Sequence, residues 1–248
     1  MINNFLNAPQ ANSLAVLVLI ALIITWFTSL LLSLRDVPVQ VDKGWYAMLL
    51  PAFSLLGIPA ALDLLQIKGV AFLFAAIVFV VFGLNIFIPV LRMIGKLSNP
   101  FLSVWHKWAI PVSILGGLAV AGYLTFIEAT AAPIMCGPSG GCAAVQNSRY
   151  AVLFGILPVG VLGLIGYLAI FTGWIMWQFG PQPTQKLGAL SIWAMCIFGV
   201  LFSIYLTFLE PFVIGETCMW CISSAVLMMI ILLISTPAAQ QALTIPDD

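Results

Sequence analysis

Cys218-Met219-Trp220-Cys221 opens an apolar run that ends near Ser235. The thiolate is the reactive form of cysteine and a helix N-terminus favours negative charge, so one of this pair is expected to carry a lowered pKa. Two intervening residues also let the sulfurs close into a disulfide with little backbone movement. Upstream, Cys136 and Cys142 flank Gly137, Pro138, Ser139, Gly140 and Gly141, between two further apolar runs. Two closable pairs at the ends of membrane-length segments point to a relay of thiol–disulfide exchange.

The surrounding composition is that of a membrane protein. Of 248 residues 63% are hydrophobic and 6% charged, with a mean hydropathy of +1.18, whereas a soluble domain carries about 25% charged residues. Eight basic and eight acidic side chains cancel, which leaves no electrostatic footprint for a nucleic acid. The cysteines are 136, 142, 196, 218 and 221, so Cys196 stands apart from the two pairs. Met1 to Asn12 contain no Lys or Arg, unlike the n-region of a cleaved signal, and the first apolar run is expected to be a retained helix.

About 20 mostly apolar residues cross a bilayer as a helix. The qualifying runs are 13–34, 44–64, 70–92, 108–128, 151–177, 188–210 and 221–236, the last reaching full length if Thr217 to Trp220 begin the helix. Pro51 and Pro59 interrupt the second, which is still read as a span because neighbouring helices satisfy the carbonyls that proline frees. With an external N-terminus the cytoplasmic side carries Arg35, Lys43, Arg92, Lys96, Lys107 and Lys186, and the outer side Lys68 and Arg149. That asymmetry has the sign of the positive-inside rule, and it vanishes if 44–64 does not span. The same topology puts the four paired cysteines on the outer, oxidising side.

Tyr123-Leu-Thr-Phe-Ile-Glu128 recurs as Tyr205-Leu-Thr-Phe-Leu-Glu210, and in each copy seven residues separate the Glu from the first cysteine of a pair. The matched offset indicates a parallel repeat of helix, cysteine pair and helix that starts both pairs at similar depth. Residues 1–104 have no cysteine and no repeat partner, and are read as an N-terminal transmembrane extension. Residues 105–238 hold the repeat and the pairs. The end of the chain, from Thr236 with Pro237 and Pro246 to Asp248, is expected to be a disordered cytoplasmic tail, with 239–248 outside the core.

Taken alone, Cys218 and Cys221 could also be a metal half-site or an inert brace. A zinc site needs four N or S ligands, and the only histidine, His106, falls on the opposite face, so a metal would have to use both cysteine pairs. Gly137, Gly140 and Gly141 suit a mobile redox loop better than a rigid chelator. Glu128 and Glu210 read as solvated carboxylates at outer helix ends, with proton handling as the alternative. Cys196 reads as packing within an apolar helix. Trp220 is either an interface anchor or a residue that shields the pair or faces a partner.

Residues 108–236 resemble the vitamin K epoxide reductase family in its prokaryotic, quinone-linked disulfide-forming branch. The resemblance is carried by Cys136-x5-Cys142, Ser148 six residues later, the stretch from Tyr150 to Pro158 read as helix with Gly163 and Tyr167 following, and the CxxC at 218–221. Order separates this family from the disulfide bond formation protein B family, in which the CxxC comes first. The resemblance implies an all-α integral membrane protein, a four-helix bundle preceded by about three additional transmembrane helices. It implies an enzyme, a quinone-dependent thiol–disulfide oxidoreductase of the cell membrane, with ubiquinone or menaquinone as electron acceptor and no metal. Cys221 would reduce the quinone, Cys218 would exchange with the loop pair, and Cys136 and Cys142 would take electrons from a thioredoxin-fold partner through mixed disulfides.

Ser148 matches a polar family position that orients the loop or a sulfur, and reads equally as an N-cap for a helix starting at Tyr150. Phe154, Leu157 and Tyr167 are the candidate quinone contacts. Many prokaryotic relatives carry a fused thioredoxin-like domain and none follows Asp248, so the partner is expected to be a separate extracytoplasmic protein. In the animal enzymes a tyrosine lies four residues after the CxxC; Ala225 stands there here, so epoxide reduction is not implied. Two other classes compete with this reading: a soft-metal binder or transporter chelating through both pairs, and a membrane scaffold braced by inert disulfides.

Overall fold

Proline marks where four of the described helices begin, because its missing N–H falls on a donor that the first turn leaves unused. The computed structural model describes residues 9–34, 100–136, 141–153 and 155–244. Helix α1 runs Pro9–Leu34 and α2 Pro100–Thr130. A short α3, Cys142–Gln146, follows, then a two-stranded hairpin of β1, Val152–Leu153, and β2, Leu157–Pro158. Helix α4 is Val159–Phe179 and α5 is Gln182–Leu209. A wide π-type turn, Glu210–Ile214, leads towards α6, Met219–Thr244. By length and composition Ala109–Thr130, Val159–Phe179, Gln182–Ile214 and Met219–Leu243 each suffice to cross a membrane, and α1 carries a shorter apolar stretch, Ala11–Phe27. The protein is an all-α membrane protein. The spans 44–64 and 70–92, with Arg35, Lys43, Lys68, Arg92 and Lys96, lie outside the described residues, as do the side chains of His106 and Lys107.

Residues 1–36 and 107–248 form one compact unit, and 37–106 group as another that is almost wholly outside the described residues. Within the first unit α5 packs against α4 and α6, while α1 lies against α5, α6 and the π-turn. Leu22, Ile114, Tyr167, Ile192 and Leu232 fill the interior. Phe126, Ile165, Phe198 and Leu201 point outward, as lipid-facing positions do. Polar pairs fix the helices where apolar contacts alone would let them slide. Ser29 on α1 pairs with Thr236 on α6 at 2.8 Å and accepts from Trp193 Nε1 on α5 at 3.0 Å.

That cluster corrects one expectation. The chain does not become disordered at Thr236; α6 continues through Pro237 to Thr244. The hydroxyls of Ser235 and Thr236 fold back onto the Leu232 carbonyl, and packing against α1 holds the last turns in place, so the proline sits inside a supported helix. A second correction concerns 150–158, whose described residues are not helical. Gly155 adopts φ +72°, a left-handed turn position that glycine takes without strain, and Ile156 N–H closes onto the Leu153 carbonyl at 3.1 Å. Val159 N–H then reaches Ala151 O at 2.9 Å. Helix α4 therefore starts at Val159, after Pro158.

Candidate functional site

The site is assembled at the end of the bundle where α2 and α5 finish and α6 begins. Pro211 has no N–H to return to the helix, and α5 widens there until Gly215 N–H reaches the Glu210 carbonyl at 2.8 Å. The wide turn carries Glu210 into the interior, where only 2% of it is exposed. Its Oε2 accepts the backbone N–H of Cys218 at 3.0 Å. Its carboxylate also contacts the Cys221 thiol. The expectation of a solvated carboxylate at this position is overturned, because the π-turn faces Glu210 inward.

Asn12, fully buried near the start of α1, fixes the segment just before the CxxC. Its amide donates to Gly215 O at 3.1 Å and accepts from Thr217 Oγ1 at 2.9 Å. Cys218 then stands one residue before α6, its carbonyl accepting Ile222 N–H at 3.0 Å.

The loop pair is brought to this point by two contacts. Met135 donates its N–H to Tyr123 Oη at 2.9 Å and accepts from Trp220 Nε1 at 3.0 Å, while the Tyr123 and Trp220 rings pack 4.6 Å apart. Further along, Gly141 lies so close to the CxxC segment that a Cβ there would stand 2.8 Å from Thr217 O and 2.9 Å from Thr217 N. Gly141 thus serves close approach and not loop mobility; its φ is an ordinary −77°. Gly137 and Gly140 lie outside the described residues.

The four paired cysteines consequently meet. Cys142 and Cys218 are fully buried and form one cluster with Val145, against which Cys136 and Cys221 pack. The Cys136 thiol contacts Cys142, Cys142 contacts Cys218, and Cys218 contacts Cys221. The electrostatics reverse the expected lowering at Cys218. Its hydrogen bond with Cys142 acts downward, but the bond with Cys221, burial and the charge of Glu210 together push the thiol up. The contact with Cys218, then burial, raises Cys142. Burial, then the contact with Cys142, raises Cys136. Cys136, Cys142 and Cys218 are thus all pushed above the ordinary thiol value, and with Cys221 they form a row in which each touches the next.

A cleft opens beside Cys221, lined by Leu124, Val159, Leu206, Leu209 and Glu210 among others. The candidate quinone contacts do not gather there. Tyr167 is fully buried and donates to Ser224 O at 2.9 Å, a packing role between α4 and α6. Leu157 sits on β2 and is not among the cleft residues. Phe154 lies outside the described residues. Ser148 does line the cleft, yet its hydroxyl donates to Val145 O at 2.7 Å and closes the end of α3. It caps no helix at Tyr150, since none begins there. Cys196 is fully buried in α5. Among the described residues no group of three or more His, Cys, Asp or Glu side chains is arranged to hold a metal ion.

Both glutamates of the repeat do the same work. Glu128 Oε1 accepts Gly160 N–H in the first turn of α4 at 3.2 Å, as Glu210 accepts Cys218 N–H at the start of α6. Each carboxylate meets donors that a helix start leaves unsatisfied. The sequence signal for Glu210 was therefore its repeat partner, and for Asn12 there was none.

At one end of an α-helical membrane bundle, then, two cysteine pairs stand in contact. The family model described as the vitamin K epoxide reductase family matches residues 107–236, and the chain belongs to that family. No solved structure matches it.

Proposed function

We propose that this protein oxidises a separate extracytoplasmic dithiol protein of thioredoxin fold and passes the electrons through Cys136/Cys142 and Cys218/Cys221 to a membrane quinone, ubiquinone or menaquinone. The observation that carries the reading is the contact between Cys142 and Cys218, which joins the two pairs into one row of sulfurs. Exchange requires a thiolate to attack a disulfide sulfur along such a line of contact. A disulfide at Cys136/Cys142 is reduced by the partner. The loop dithiol then reduces a Cys218/Cys221 disulfide through the Cys142–Cys218 contact. Two electrons and two protons leave the row at Cys221.

The cleft beside Cys221 fits a quinone ring in its chemistry. Its walls are mostly aliphatic, with Gln146, Ser148 and Tyr150 the exceptions, and it reaches a single thiol and a single carboxylate. The quinone, when bound, accepts the two electrons and two protons. The residues of this chain confine the reacting thiol: Leu206 and Leu209 exclude water, Asn12 fixes the approach to Cys218, and Glu210 holds both the Cys218 backbone and the Cys221 thiol.

The test is a thiol-trapping assay on detergent-purified protein with a reduced thioredoxin-fold substrate and either quinone, for wild type and the four single Cys→Ala variants. Quinone-dependent substrate oxidation, with a mixed disulfide trapped in one variant, is expected. A stoichiometric soft metal that survives oxidation would replace the reading with a chelator. Disulfides inert in every variant would leave a scaffold.

A further inference from the structure

The thiol row ends on a carboxylate. Glu210 is buried, lines the same cleft as Cys221, and touches the Cys221 sulfur, one of the two from which the proposed reaction must remove a proton as electrons depart. Oxidation of two thiols to a disulfide releases two electrons and two protons, so a proton acceptor is needed at the point of electron exit. The groups facing Glu210 are the thiols of Cys218 and Cys221 from α6 and its approach, and Asn12 lies nearby on α1 through Gly215 and Thr217. Cys142 from α3 acts on Cys221 electrostatically. Tyr150 and Gly160 line the same cleft, and the Gly160 N–H is held by Glu128. No lysine, arginine or histidine lines the cleft among the described residues. No fixed cation is there to stabilise a Cys221 thiolate; a proton acceptor in contact is.

We propose that Glu210 is a catalytic base that takes the proton of Cys221 and releases it into the cleft. This rests on the functional reading above. The step balances: Cys221–SH and Glu210–COO⁻ become Cys221–S⁻ and Glu210–COOH, with no change in total charge. The Cys221–Cys218 disulfide then forms as two electrons pass to the quinone. Glu210 gives its proton up to the cleft, and the Cys218 proton accounts for the second. Beside the cleft, Gln146 Oε1 and Glu128 Oε2 are buried acceptors with no hydrogen-bond partner among the described residues. They provide positions at which water or a hydroxyl can carry that proton onward.

Glu210→Gln separates the catalytic role from a structural one. The amide oxygen still accepts the Cys218 N–H, but the side chain no longer takes a proton. The readout without quinone is the pH dependence of Cys221 alkylation by iodoacetamide in the reduced protein. A thiol sharing a proton with a carboxylate titrates with it as a pair. Wild type is expected to show two steps and Glu210→Gln one. With quinone, oxidation of the pre-reduced CxxC is expected to slow about 100-fold in Glu210→Gln, the lower range for loss of a general base.

An unchanged alkylation profile, or an unchanged rate, overturns the proposal. If the variant fails to fold, infrared difference spectra of reduced and oxidised wild type decide: a carboxylic acid C=O band that changes with redox state supports it, and its absence overturns it. Failure of wild type to reduce any quinone would sink the proposed function, while the alkylation profile and infrared bands would still judge Glu210.

Discussion

Trp220 and Met135 are joined by a hydrogen bond: the indole N–H donates to the Met135 carbonyl at 3.0 Å. One of the two residues between the CxxC cysteines thereby holds the residue before Cys136, and sets where the loop pair stands. An interface anchor would not need this bond. Trp220→Phe retains a ring to pack on Tyr123 and deletes only the donor. A hydrogen bond of this kind contributes about 0.5–1.5 kcal/mol net, which corresponds to roughly 2- to 10-fold. Rapid-quench thiol trapping should show electron transfer from Cys136/Cys142 to Cys218/Cys221 slowed by that factor. Oxidation of a pre-reduced CxxC by quinone should be unaffected. Equal slowing of both steps would place the effect elsewhere.

Gly141 offers a harsher test of the contact between the pairs. A methyl group there would meet the Thr217 backbone at 2.8 Å, and backbone does not step aside as a side-chain tip does. Gly141→Ala should cost about 1–3 kcal/mol in stability, in the range for overpacking. It should also move Cys142 off Cys218. In the Cys136→Ala, Cys221→Ala background, mild oxidation should close a Cys142–Cys218 disulfide, and adding Gly141→Ala should prevent it. Closure at the same rate with alanine present would show that the two segments are not in register as described.

Asn12 extends the site to a helix that shares no motif with it. Both ends of its amide are used, on Gly215 O and Thr217 Oγ1. Asn12→Ala strands these groups in a buried setting, at about 1–3 kcal/mol. Thermal unfolding should show the loss, and alkylation of Cys218 in the reduced protein should accelerate as its covering segment loosens. Unchanged alkylation would mean that α1 supports the bundle without shaping the pair.

How far the sequence reveals this arrangement depends on the type of signal. The repeat of Tyr123–Glu128 at Tyr205–Glu210 reveals that two helices end alike and that each precedes a cysteine pair, because composition and offset are linear properties. It does not reveal which way Glu210 faces. That is set by the π-turn at Pro211, and a hydrophobic period of 3.6 residues is silent where the winding changes. The hairpin at 152–158 was hidden because an apolar run bounded by helix-length sequence reads as helix. Gly155 and Pro158 were its only marks. Asn12 pairs with residues more than 200 positions away, and no local pattern encodes a partner at that distance.

The reduced protein should also lose stability in alkali, and the site explains why. Cys142 is raised first by its contact with Cys218 and then by burial, and Cys136 and Cys218 are raised as well. A thiol whose folded pKa exceeds its unfolded value holds its proton more tightly in the native state. Its stabilising contribution is complete below the unfolded pKa, about 8.5 for cysteine, and is lost as pH rises beyond it towards the folded value. Thermal midpoints of the reduced protein should therefore fall as pH climbs above about 8.5, the unfolded thiol value. The same protein with both pairs oxidised has no thiols in the row to ionise, and its midpoint should fall less over that range. The difference between the two curves isolates the cysteines from lysine and tyrosine titrations common to both. Parallel curves would mean that the thiols ionise as readily in the folded row as in the unfolded chain, and the buried contact between Cys142 and Cys218 would have to be abandoned.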